Sequence, residues 1–254
     1  TQSPRRALKA VLGGGHADVD ELKWSFDSLA LVLPLPQTLT ASDHDRVVNS
    51  EEVDMFWSTA KQPWHRLSNF QEMPVRYGGR DYPSSEHAFQ AQLDMRGPEM
   101  YMTNGPLVAY TAQSFRETGA FPGMDEDKLQ RKADWWAQKA NIGILAKLAI
   151  KRAKDKKMKK SMTIDECALV FLEILLDKFD RNPTLKDVLL NTRDTYLLEF
   201  ERGAERVFRK SNGAKRTRWG GMVVDGKIMG DNQMGKWMMV VRKELQLLEW
   251  WVRN

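Results

Sequence analysis

Between Met73 and Gln90 the chain changes its hydrophobic period, and this change constrains the fold more than any other stretch. Val75 and Tyr77 alternate into a Gly78-Gly79 turn and Tyr82 follows, the pattern of a β-hairpin. Pro83-Ser84-Ser85 interrupts that pattern, and Glu86-His87-Ala88-Phe89-Gln90 continues at helical spacing, with Ser84 or Ser85 as the N-cap and Ala88, Phe89 and Gln92 on one face. A carboxylate in a first helical turn is stabilised by the helix dipole and by unpaired amide donors, so Glu86 is expected to ionise readily and to face a cleft. Its plainer role is to complete a good helix N-terminus.

The remaining signals are mainly helical. Met55-Phe56-Trp57-Ser58 and residues 196–200 read as short strands, and residues 219–224 and 227–229 as a pair around an Asp225-Gly226 turn. Helices are expected over 106–116, from Asp125 through Ile144 as the longest, after the Thr163/Glu166 capping box, from Asn182-Pro183 through Leu190, and over 232–250. The helix after Asp125 turns Trp136 to the core and Trp135 about a hundred degrees away. Helices dominate, strands are few and short, and no regular strand–helix alternation argues for a doubly wound sheet. Weak periodicity, Gly13-Gly14-Gly15 and a proline-broken run at 29–36 mark residues 1–50 as an N-terminal extension with a linker over 43–49. Residues 51–254 are then the domain, carrying a basic insert near 151–165.

A chain of 254 residues with 42% hydrophobic side chains can bury a proper core. No apolar run approaches the ~20 residues of a membrane helix, and the first residues lack a signal-peptide pattern. No membrane contact is expected, and the location is expected to be intracellular, cytoplasmic or nuclear. The single Cys167 excludes an internal disulfide or a thiolate cluster and reads as a buried inert thiol, while scattered histidines, His16 and His44 among them, give no ligand spacing. No metal and no cofactor are expected. Residues 151–160 hold seven Lys/Arg against one Asp, a local +6 within a total of +5, which leaves −1 elsewhere. Arg209, Lys210, Lys215, Arg216 and Arg218 form a second cluster beside Trp219. Both suit phosphate or nucleic-acid contact.

Seven groups occur in an order that resembles the NADAR, or YbiA-like, N-glycosidase family over about residues 53–245. They are Phe56-Trp57-Ser58, Leu67-Ser68-Asn69-Phe70, Ser85 to Gln90, Asp134-Trp135 with Lys139, Asp177-Lys178-Phe179 with Asn182-Pro183 and Leu189 to Thr192, Trp219-Gly220, and Gly230 to Gly235 continuing to Arg242. The resemblance implies a compact, mostly helical α+β fold and hydrolysis of a ribose C1–N bond. Family members act on ADP-ribose attached to the amino group of guanine or on ribosylaminopyrimidine phosphates of riboflavin synthesis. The basic clusters favour ADP-ribosylated guanine, in nucleic acid or nucleotide, as the partner; a non-catalytic reader of ADP-ribose or nucleic acid is the alternative of another class.

By the same resemblance Glu86 is the catalytic carboxylate and Lys178 a second catalytic group that protonates the leaving nitrogen, holds the ribose or forms a Schiff base. Trp135 and Trp219 are stacking candidates, and Asn69 and Asn232 candidates for ribose or phosphate. Phe56, Ser68, Phe70 and Gly235 complete the substrate-binding set. Many relatives carry an acid just after the Trp-Gly pair or three residues before its Trp; Gly221 and Arg216 stand there in this chain. A second carboxylate is therefore expected only from Asp225 or Asp231.

Overall fold

The computed structural model describes residues 41–253, apart from residues 58, 59, 153–158 and 214. The glycine run, His16 and the proline-broken stretch of the extension lie outside the described residues, as does the middle of the basic run. Strands β1 (Val53–Phe56), β2 (Val75–Tyr77) and β3 (Arg80–Tyr82) come first. The β2–β3 hairpin pairs Val75 with Tyr82 and Tyr77 with Arg80, and it turns through Gly78 and Gly79 at φ of 55° and 77°, a region that glycine enters without steric cost. Ser84 then caps α1 (Ser85–Leu93) by accepting the His87 amide, as the turn chemistry predicted.

Helix α1 is buried along almost its whole length, so its polar side chains have to be satisfied internally. His87 is held between Ser84 Oγ (2.8 Å) and the Leu107 carbonyl (2.9 Å). Burial drives its pKa down to about 4, so it is neutral and gives its Nε2 proton to Leu107.

The expected 106–116 helix begins later than its proline suggested. Thr111 and Ser114 form a capping box, and this box starts α2 (Ala112–Thr118), which Gly119 ends in the left-handed region. Asp125 caps α3 (Glu126–Ala137), but the helix does not run on to Ile144. It stops, and α4 (Gly143–Arg152) begins after five intervening residues. The reason is contact: a Cβ at Gly143 would lie 2.6 Å from Phe70 Cα and 3.0 Å from Glu86 Cβ. Only glycine lets the start of α4 lie against that loop, where its amide bonds the Phe70 carbonyl at 3.0 Å.

The capping box of Thr163 and Glu166 opens α5 (Ile164–Arg181), and α6 (Pro183–Leu190) follows. Asn182 does not cap α6 with its side chain; its Nδ2 turns back to the Lys178 carbonyl. Strand β4 (Tyr196–Glu199) pairs in parallel with β1, an association between segments far apart in sequence. Helix α7 (Ala204–Lys210), not foreseen from the sequence, precedes the β5 (Met222–Val224) and β6 (Lys227–Met229) hairpin. Helix α8 (Gln233–Arg253), rather than the helix after Asp125, is the longest.

Residues 43–49, expected to form a linker, lie along this hairpin. Asp45 N–H bonds the Ile228 carbonyl, and Ile228 N–H bonds the Arg46 carbonyl, each at 2.9 Å. The β6 edge had free backbone groups, and this segment pairs them.

The architecture is thus mostly helical with short two-stranded sheets, the expected class. Helix α5 lies at its centre, against α1, β2 and α8. Phe89 and Phe171 stack at 4.1 Å, Phe171 continues to Trp237 at 5.4 Å, and Trp219 meets Phe89 edge-on at 5.7 Å. Burying each such side chain contributes roughly 1.5–3 kcal/mol, so this nucleus fixes where α1, α5 and α8 meet. Among the described residues no helix is long and apolar enough to cross a membrane.

Candidate active site

A cavity of about 410 Å³ opens above this aromatic nucleus. Glu86 and Gln90 from α1, Asn69 and Phe70 from the loop before β2, and Glu199, Phe200 and Glu201 from the end of β4 line it, together with Trp57 and Trp219. Lys147 and Lys151, one helical turn apart on α4, and Lys159 form its basic part.

Glu86 is placed by its helix. Its amide bonds the Asn69 carbonyl at 3.0 Å, and its Oε1 accepts the Gln90 Nε2–H at 2.8 Å. Contrary to the expectation from its helix position, its pKa is raised. Burial outweighs Lys147 and the Gln90 hydrogen bond, both of which act in the opposite direction.

The second carboxylate is Glu199, not Asp225 or Asp231. Asp225 is exposed in the β5–β6 turn, and Asp231 is bonded to Ser42 Oγ. Desolvation pushes Glu199 up to about 8; the charges of Glu86 and Glu201 add to the rise, and Lys147 and Lys178 oppose it. Glu201 is raised as well, chiefly by burial.

Long-range contacts hold Glu199 in place. Its amide donates to Asn232 Oδ1 at 3.1 Å, while Asn232 Nδ2 gives bonds to the Leu197 carbonyl and to Tyr196 Oη. Its carbonyl accepts the Gly221 amide at 2.9 Å, and Glu201 N–H returns to the Gly221 carbonyl at 2.7 Å. A Cβ on Gly220 would lie 2.3 Å from the Glu199 carbonyl, so the Trp219-Gly220 pair is the segment that can lie against β4 and present its indole to the cavity.

Of the ten residues proposed from the sequence, Glu86, Asn69, Phe70 and Trp219 line one cavity. Lys178 is fully buried beside it, and its Nζ donates to the carbonyls of Leu67 (2.9 Å) and Ser68 (3.1 Å). Burial lowers its pKa to about 7, with Glu199 acting the other way. Ser68 Oγ accepts the Phe70 amide, so Lys178 and Ser68 together shape the loop that carries Asn69 and Phe70. Phe56 is in the core. Gly235 lets α8 approach β4, since a Cβ there would lie 2.1 Å from the Leu197 carbonyl. Trp135 is 56% exposed on α3, in edge contact with Trp136 and away from the cavity lining.

Glu199, Glu201, Lys147 and Gln90 were not singled out. Gln90 stood within the Ser85–Gln90 motif one helical turn from Glu86, which was signal enough; Glu199 lay in an ordinary strand pattern. The cluster at 209–218 does not line the cavity. Among the described residues no group of three or more His, Cys, Asp or Glu side chains is arranged to hold a metal ion.

Fold and site together define a mostly helical α+β protein with two desolvated glutamates on one aromatic-walled, lysine-rimmed cavity. No family model and no curated protein matches the chain. Among solved structures it is similar to the NMR structure of the E. coli protein YbiA, with a TM-score of 0.46 and 18% identity over 83% of this chain and 94% of that chain.

Proposed function

We propose that the protein is an N-glycosidase of the NADAR type that releases ADP-ribose from the amino group of ADP-ribosylated guanine. The observation that carries this reading is the pair Glu86 and Glu199 on one cavity, the first of which accepts a side-chain hydrogen bond from Gln90. A group pushed up to about 8 keeps its proton at neutral pH, which fits Glu199 to an acid role. Burial raises Glu86 as well, and the side-chain hydrogen bond it accepts from Gln90 acts towards the ionised form, so Glu86 is assigned as the base.

In the reaction Glu86 takes a proton from water as the water oxygen bonds to the ribose C1. The C1–N electron pair leaves on nitrogen, which accepts the proton of Glu199. The Glu86 carboxylate offsets developing positive charge at C1, and Phe89, Phe171 and Trp219 offer apolar and stacking faces. Lys147, Lys151 and Lys159 suit the diphosphate, and the last two belong to the basic run of residues 151–160, whose charge suits a polynucleotide. Lys178 acts as a positioning group through the Leu67 and Ser68 carbonyls it bonds.

The test compares ADP-ribose release from a guanine-modified oligonucleotide with ribose-phosphate release from a ribosylaminopyrimidine phosphate, in wild type and Glu86→Gln. Release of ADP-ribose that falls ~10²–10⁴-fold in Glu86→Gln is expected. Turnover of the small ribosylamine alone would make this a metabolite-clearing enzyme. Binding of the modified oligonucleotide without turnover, unchanged by Glu86→Gln, would make it a reader.

A further inference from the structure

The basic cluster at 209–218 stands outside the cavity but is tied to its wall. Glu201 and Trp219 both line the cavity, so the segment between them, residues 202–218, leaves that wall and returns to it. Backbone bonds close its base: the Glu201 amide donates to the Gly221 carbonyl at 2.7 Å, and the Gly221 amide to the Glu199 carbonyl at 2.9 Å. Within the segment stand seven Lys/Arg against one Glu.

The fold sets these cations on one exposed surface. Helix α7 packs on the β5–β6 hairpin with Ala204 buried and the Phe208 ring 4.8 Å from that of His44. Arg206, Arg209 and Lys210, three and four residues apart, share the opposite face and are exposed. Beyond the turn, the Lys215 amide bonds Ser211 Oγ at 2.9 Å, and buried Thr217 donates its Oγ1 proton to the Gly220 carbonyl. Lys215, Arg216 and Arg218 are left exposed around it. Arg209 pairs with Glu205 at 2.7 Å, whereas among the described residues the other five make no ion pair.

Fixed cations without counter-charges suit a polyanion. The segment's described apolar side chains are all buried or half-buried, which leaves none to enter a bilayer. A row of cations suits repeated phosphates, and it starts at a cavity where Trp57 and Trp219 offer faces for bases.

We propose that residues 202–218 hold the phosphates of a single-stranded nucleic acid whose modified guanine lies in the cavity. The placement of that guanine rests on the N-glycosidase reading, and a base has to leave its pair to enter such a site, hence a single strand. The phosphate contact itself does not depend on the chemistry.

The experiment measures binding of unmodified, fluorescein-labelled single-stranded DNA and RNA to the full chain by fluorescence anisotropy, from about 50 to 200 mM salt. Wild type is compared with Arg206→Gln/Lys210→Gln/Arg216→Gln and with Arg80→Gln/Arg116→Gln/Lys243→Gln, which removes the same charge from β3, α2 and α8. All six side chains are exposed, and circular dichroism checks the fold. The first variant should bind ~10-fold or more weakly, with the slope of log Kd against log salt reduced by ~2, and the second should differ from wild type less than ~2-fold. If the first does not fold, its three single variants carry the test, each with the slope reduced by ~0.7. The ratio of KM for a guanine-ADP-ribosylated oligonucleotide to KM for the ADP-ribosylated nucleotide should rise ~10-fold in the first variant.

Equal losses in the two triple variants would reduce the effect to net charge and overturn the surface. So would a wild type that binds neither strand, an outcome that leaves release of ADP-ribose from a free nucleotide, and the N-glycosidase reading, intact. Binding of phosphatidylserine vesicles in place of the strands would assign the surface to lipid headgroups and overturn it as well. Strand binding lost only in the first variant, in a protein that releases no ADP-ribose, would support the surface and remove the N-glycosidase reading.

Discussion

Glu86 and Glu199 face one cavity but are supported in different ways. Glu86 sits in the first turn of a helix whose cap, Ser84, is two residues before it, and whose Gln90 reaches back to it across one turn. Glu199 ends a four-residue strand, and its backbone is fixed by Asn232 and Gly221 and by parallel pairing with β1. The first carboxylate is held mainly by local geometry, with one long-range bond, from its own amide to the Asn69 backbone carbonyl. The second is held by at least three separate segments. The consequence is that the position of Glu86 should answer mainly to its own helix, whereas that of Glu199 should answer to substitutions far away in sequence.

The largest effect that sharpens this comparison comes from Glu199→Gln. If Glu199 supplies the proton to the leaving nitrogen, kcat should fall ~10²-fold or more. A protonated group near 8 makes activity decline as pH rises through that value, so the same substitution should also remove the alkaline limb of the pH profile. An alkaline limb that survives in Glu199→Gln would assign the acid role to another group, with Glu201 next in line.

Asn232→Gly is the next test, because it removes support without touching the carboxylates. Asn232 has φ of 48°, so glycine rather than alanine separates loss of the side chain from backbone strain. Three hydrogen bonds disappear, to Glu199 N, Leu197 O and Tyr196 Oη, and the stability loss should be ~2–4 kcal/mol in a denaturant titration. Activity should fall about 10-fold through displacement of Glu199, with the alkaline limb shifted rather than lost. An unchanged profile would mean that β1 pairing alone positions Glu199.

The same contrast explains what could be read without coordinates. The hairpin, the serine cap and Glu86 were legible because each depends on neighbours within a few residues. So were the capping box before α5 and the opposite placements of Trp135 and Trp136. Glu199 was not, since nothing in a run such as residues 196–200 records that it will pair with residues 53–56 and meet Gly221. The break between α3 and α4 was missed for a related reason. Helical spacing continues through it, and only the approach of Gly143 to Phe70 and Glu86 requires the chain to stop and restart. The direction of the Glu86 shift was misjudged because a helix N-terminus favours ionisation, yet complete burial of the surrounding helix acts more strongly.

Lys178 joins the two regions, and its effect is the most specific. In the folded protein its pKa is lowered from 10.5 to about 7, so between those values the unfolded chain binds more protons than the folded one. Stability contributed by this group must therefore rise with pH above about 7, with a slope approaching ~1.4 kcal/mol per pH unit, and be independent of pH below it. Subtracting the stability of Lys178→Met from that of wild type isolates this contribution, and the difference should climb steadily from pH 7 to 9.5. A flat difference would mean that the ammonium remains charged between the Leu67 and Ser68 carbonyls. Glu199 raises the Lys178 pKa only where it is ionised, above about 8, so in a Glu199→Gln background the onset near pH 7 should stay in place and the climb above pH 8 should steepen. An unchanged slope above pH 8 would show that the two groups titrate independently, and that the strand-held side of the cavity exerts no electrostatic influence on the loop that carries Asn69.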